Sequence, residues 1–146
     1  MSDNESNKAG RPQWARSMLV QGWTSVAVWM SFGLLLEGLL GYKIPSYLGD
    51  AQRRELFRLA HVHGTLLGVI LIAITLSCEY AMIRLHRAAR ISVRAGALLM
   101  PVGFMLAGVS HPEGDPGIAI WLVPPSAVLV IFGLVSLALS HARPSN

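Results

Sequence analysis

Four long apolar runs, separated by short polar stretches, limit what this chain can fold into more than any other feature. They cover about residues 18–41, 59–83, 95–109 and 118–140. A helix rises about 1.5 Å per residue, so about 20 apolar residues cross the roughly 30 Å hydrocarbon core of a bilayer. In lipid, a spanning segment must satisfy its own backbone hydrogen bonds, which favours helices. Only 14% of the residues are charged, against about 25% in an ordinary soluble domain, so lipid is the expected surroundings. The fold class expected is all-α: one integral membrane bundle of four antiparallel transmembrane helices, at 18–141.

The flanks and connections have their own chemistry. Residues 1–17 are polar and predict a disordered cytoplasmic tail, with Trp14 and Arg16 at the membrane surface. The stretch lacks the charge pattern and cleavage site of a signal peptide. Residues 142–146 predict a second short tail. Asp50 is placed to cap a helix that runs through the charged segment 52–58 directly into the second span. That helix would be on the order of 50 Å long and project past the bilayer on one side. Residues 84–94 hold four arginines and His86 and read as a loop. The third span is short, and Pro101 predicts a kink. Residues 110–117 are turn chemistry throughout, and Pro124-Pro125 either break the fourth span or mark its true start.

Charge sets orientation and excludes a partner class. Lys8, Arg11, Arg16, Arg84, Arg87, Arg90, Arg94 and Arg143 fall on one side, and Lys43, Arg53, Arg54 and Arg58 on the other. Eight against four predicts both termini on the cytoplasmic side, in a bacterial inner membrane. The net charge of +4 does not indicate nucleic acid, because the arginines flank apolar runs as topology signals do. The expected partners are the lipid bilayer and a membrane protein or a second copy of the chain. A single cysteine, Cys78, excludes an intramolecular disulfide.

The informative polar residues are those at membrane depth, where charged side chains are costly and tend to find partners. Glu37 lies near the outer end of the first span. His61 and His63 lie near the outer start of the second, and His111 closes the third on the same side. Residues two apart on a helix point about 200° apart, so His61 and His63 cannot both hold one ion. His61 shares its face with Gly64, Thr65 and Gly68 and is expected to face inward. The candidate site is a haem or metal centre with His61 as axial ligand and His111 or His63 as the second. Glu37 would accept from the ring N–H that binds no metal. The plainer reading is a hydrogen-bonded interfacial cluster, with Glu37 satisfied by His61 or Arg58 and His111 a solvated turn residue. The loop trio His111, Glu113 and Asp115 reads as a solvated turn in the same way. At the other end Glu79 is expected to contact Gln21, Thr24, Ser25 or an arginine, and otherwise would handle protons.

The run Leu59-Ala60-His61-Val62-His63-Gly64-Thr65-Leu66-Leu67-Gly68 resembles a turn that opens a span in haem–copper oxidase and nitric oxide reductase catalytic subunits. It also resembles small membrane proteins that look like fragments of them. In the large subunits a histidine of this span binds the low-spin haem, so the resemblance implies His61 or His63 as a haem ligand. It covers about ten residues. The later helices that carry the copper ligands in those subunits have no counterpart here, so the resemblance implies a single haem or copper, or a helix scaffold without either.

The residues carry no catalytic signature: no phosphate-binding glycine loop, cysteine-pair metal motif, His-Glu-x-x-His helix or Gly-x-Ser-x-Gly elbow. Three functions are therefore expected. The first is a non-catalytic subunit or accessory factor of a membrane complex, respiratory complexes included. The second is a haem- or metal-binding electron-transfer or sensor protein using His61. The third is a small proton-linked transporter using Glu37 and Glu79.

Overall fold

The computed structural model describes residues 12–112 and 114–142. The tail expected at 1–17 falls on 1–11 outside these residues, as do Glu113 and residues 143–146. Among the described residues all regular structure is helical. The order is α1 (Gln13–Gly41), α2 (Pro45–Leu48), α3 (Ala51–Tyr80), α4 (Arg87–Val109), a 3-10 turn (Ile118–Leu122) and α5 (Val123–Ala142). Among the described residues four helical segments are long and apolar enough to cross a membrane: α1, α3, α4, and the 3-10 turn joined to α5.

Local chemistry sets most of the boundaries. Asp50 Oδ1 accepts from the Arg53 N–H at 2.9 Å, the expected N-cap of α3. The helix then runs unbroken for 30 residues, about 45 Å. Its end is a left-handed turn at Met82 (φ 54°), closed by the Ile83 N–H donating to the Cys78 carbonyl at 3.0 Å. Lys43 (φ 52°) ends α1 in the same way, with Ile44 N–H donating to Leu39 at 3.1 Å. Pro124 and Pro125 fall in the first turn of α5, where a missing N–H is harmless. They mark the helix start rather than a break.

Two boundaries differ from the sequence reading. α1 reaches back to Gln13, and α4 begins at Arg87 instead of after Arg94. Long-range contacts explain both. Arg90 stacks on the Trp14 ring, its guanidinium carbon 4.6 Å from the ring centre. Arg94 Nε donates to Gln21 Oε1 at 2.7 Å, and Gln21 Nε2 donates back to the Arg94 carbonyl at 2.9 Å. Each arginine thus has a partner on α1, and arginine is itself a good helix former. Pro101 is buried inside α4.

The helices form an open row. α1 packs along α3, α3 along α4, and α4 along α5, whereas α1 and α4 touch at only a few points. α3 and α4 are the most buried of the four, and α1 and α5 the least. The core follows the α3–α4 seam, with Leu71, Ile74, Ala89 and Val93 almost fully enclosed. Glycines let the backbones approach. A Cβ added at Gly22 of α1 would lie 2.9 Å from the Gly68 carbonyl of α3. One added at Gly96 of α4 would lie 2.6 Å from the Ser126 carbonyl of α5.

Candidate functional site

The His61–Trp29 contact between α1 and α3 is the centre of the candidate site. The two helices exchange a ring for a glycine. The indole of Trp29 covers Gly64, and the imidazole of His61 covers Gly33. A Cβ at either glycine would overlap the facing ring. Trp29 is four residues before Gly33 and His61 three before Gly64. Each helix therefore presents a large ring and a vacant step on one face. His61 Nδ1 and the Trp29 carbonyl are 2.7 Å apart. A carbonyl only accepts, so Nδ1 carries a proton, and in the neutral ring Nε2 keeps its lone pair.

His61 lines a cleft of about 790 Å3 between α1, α3 and the buried Tyr47 of α2. Met30, Leu34 and Val62 form apolar wall, while Glu37, Arg54, Glu55 and Arg58 bring charge to it. Glu37 and His61 thus share one cleft, but no hydrogen bond or ion pair joins them. Arg58 pairs with Glu55 at 3.7 Å across an exposed surface. Arg54 donates to the Leu48 carbonyl. Thr65 Oγ1, one turn beyond His61, is buried without a hydrogen-bond partner.

The other two histidines are held elsewhere. His63 Nδ1 donates to the Leu59 carbonyl of its own helix at 2.9 Å, and its ring lies on Phe104 of α4, centres 5.0 Å apart. It therefore faces the α3–α4 seam while His61 faces α1, as their angular separation requires. His111 closes the loop after α4. Its Nε2 lies 3.0 Å from Asp50 Oδ2, close but not aligned as a hydrogen bond. Its Nδ1 donates to the Pro112 carbonyl at 2.9 Å. Asp50 also lies 3.6 Å from the Arg53 guanidinium, and Arg53 Nε donates to the Gly108 carbonyl at 3.2 Å. This group fastens the start of α3 to the end of α4. The Arg53 backbone N–H, chiefly, holds the Asp50 carboxyl below its usual range, and the nearby charges of His111 and Arg53 add to the effect against some desolvation.

The structure therefore brings Glu37 and His61 to one cleft and places His63 and His111 outside it. Among the described residues no three of His, Cys, Asp and Glu gather as a metal-holding group. Within one chain His61 is not joined by a second axial histidine.

Near the other end, the sequence reading missed the main polar contact. It offered Gln21, Thr24, Ser25 or an arginine of the inner loop as contacts of Glu79; of these, Gln21 is bonded to Arg94, and Ser25 donates to the Gly64 carbonyl at 2.9 Å. Arg94 also donates to Ser17 Oγ at 3.2 Å. These side chains line a groove of about 990 Å3 along α1 and α4, with Thr24 and Leu98 exposed in it. A polar α1 stripe of Ser17, Gln21, Thr24 and Ser25 at helical spacing was the available signal. Comparison with known protein families, with curated proteins and with solved structures finds no match to this chain in any of the three.

Proposed function

We propose that the chain is an integral membrane protein of four antiparallel spans that serves as a non-catalytic subunit of a larger membrane assembly. Contacts that rise in number along α1 fall along α3, from Gly22 with Gly68 to Gly33 with His61, which supports antiparallel packing. The lysine and arginine bias supports cytoplasmic termini in a bacterial inner membrane.

The carrying observation is the groove between α1 and α4. The row does not close there, so Gln21, Thr24, Ser25 and Arg94 line an open groove, which on this reading borders the bilayer. Facing acyl chains, such groups are costly. Gln21, Ser25 and Arg94 already pair within the chain, so a helix of another subunit laid in the groove would cover them and pair with the exposed Thr24. The test is native mass spectrometry after mild solubilisation from the source membrane. The expected result is a stoichiometric complex that a bulky Thr24→Trp substitution disrupts. A lone chain in both cases would end the subunit reading.

A second reading keeps His61 as a haem or metal ligand, as the resemblance to haem–copper oxidase subunits implies. It is favoured by one observation, the Nδ1–H bond to Trp29 that leaves Nε2 as a ligand. The second axial ligand would come from another chain. An absorbance spectrum with and without dithionite tests it. A Soret band lost in His61→Ala and kept in His86→Ala supports the reading, and a colourless, metal-free protein removes it.

A further inference from the structure

The inner ends of the helices enclose a second cavity, well separated from His61. Glu79, which lines it, is 18 residues further along α3, about 27 Å. The cavity is about 940 Å3, and its walls include Trp14, Arg84, His86, Arg87 and Arg90. A smaller recess continues from Arg84 and His86 to Ser140 and His141 at the end of α5. Ends of α1, α3 and α4 thus line the cavity, and the end of α5 lines the recess beside it.

We propose that this cavity binds the phosphate of an anionic phospholipid headgroup. Positive charge is in excess: among the described residues three arginines, Arg84, Arg87 and Arg90, line the cavity against one carboxylate, Glu79. Arg90 stacks on Trp14. That contact holds the guanidinium over the indole at the cavity wall. The start of α4 adds to the field, because His86 gives no side-chain cap and the first turn has no acid. Its first N–H groups and the positive end of the helix dipole therefore favour an anion. Charge alone would also suit free phosphate. What selects a lipid is the apolar part of the lining: Met82, 88% exposed, and Trp14 lie in the same wall as the arginines. Both suit the glycerol and upper acyl region below a headgroup.

The proposal rests on the membrane placement given above, and the experiment separates the two. The full chain is expressed in membranes and washed with alkaline carbonate. It is then placed in nanodiscs mixing phosphatidylglycerol with phosphatidylcholine, and retained lipid is counted by native mass spectrometry. Retention in the wash with preferential capture of phosphatidylglycerol is expected. Arg84→Gln, Arg87→Gln and Arg90→Gln should each weaken capture about fivefold, and the triple variant about a hundredfold. Lys43→Gln, at the opposite end, should leave it unchanged. Equal capture of both lipids, or undiminished preference in the single variants, overturns the headgroup site. So does displacement of the lipid by millimolar inorganic phosphate, which would mark a soluble-anion site. Release by carbonate instead overturns the membrane placement.

Discussion

His61 on α3 donates its Nδ1 proton to the main-chain carbonyl of Trp29 on α1 across 2.7 Å. One bond does two things. It joins the helices at a point where each gives the other a ring and a glycine. It also fixes which nitrogen of His61 is left open. In a bilayer, where apolar burial gives helices little reason to associate, such close packing and polar contacts must hold α1 in place.

The ring-on-glycine exchange sets a direct expectation. Gly33→Ala and Gly64→Ala would each push a methyl into the facing ring, which must then shift from its seat on the glycine. Each should destabilise the fold by about 1–3 kcal/mol, the usual range for overpacking. Gly38→Ala, on the same helix as Gly33, meets nothing within 4 Å and should be neutral or slightly stabilising. Unfolding midpoints in one detergent check all three.

The Gln21–Arg94 pair should behave asymmetrically. Gln21→Leu leaves the Arg94 guanidinium with Ser17 alone, whereas Arg94→Leu removes the charge and keeps a carbonyl for Gln21. The first is expected to cost at least about 1–3 kcal/mol, the penalty of a polar group left unmatched. The second should cost less, and the double variant should resemble it. A double-mutant cycle on unfolding measures the coupling.

Asp50 makes the loop end of the fold sensitive to acid. Its carboxyl is held below the ordinary value of 3.8 by the Arg53 N–H and nearby charge. A lowered folded value means that the stabilisation is complete above the unfolded value and is lost as pH falls through the folded one. Loosening is therefore expected only below about pH 3.8. Hydrogen exchange at Arg53 and around residues 110–118 should accelerate there. Asp50→Ala should show the faster exchange already at neutral pH.

Met82 and Lys43 hold left-handed backbone that favours glycine. Met82→Gly should stabilise the turn by about 1 kcal/mol, the strain a side chain adds in that region. The gain should appear in the unfolding midpoint without a change in helix content by circular dichroism.

How much was readable depended on how far apart the interacting residues lie in the chain. Spans, the Asp50 cap and the opposed faces of His61 and His63 are local consequences of hydropathy and helix geometry, and each is legible in a few neighbouring residues. Arg90 and Arg94 read as loop because nothing nearby in the chain marks them as packed against another helix. Their partners, Trp14 and Gln21, are on α1. His111 was set beside Glu37 by depth alone, yet depth gives no angle around the row, and Asp50 was the residue within reach. That the row is open could not be read either, since a helix shows its apolar face but not which neighbour takes it.

A photoreactive p-benzoylphenylalanine at Thr24, in the α1–α4 groove, tests the subunit reading most directly. Leu76 on α3, also exposed, serves as the comparison site. Irradiation in intact membranes should give one protein adduct of defined mass from position 24 and none from position 76. Only lipid adducts at position 24, matching those at 76, would contradict it.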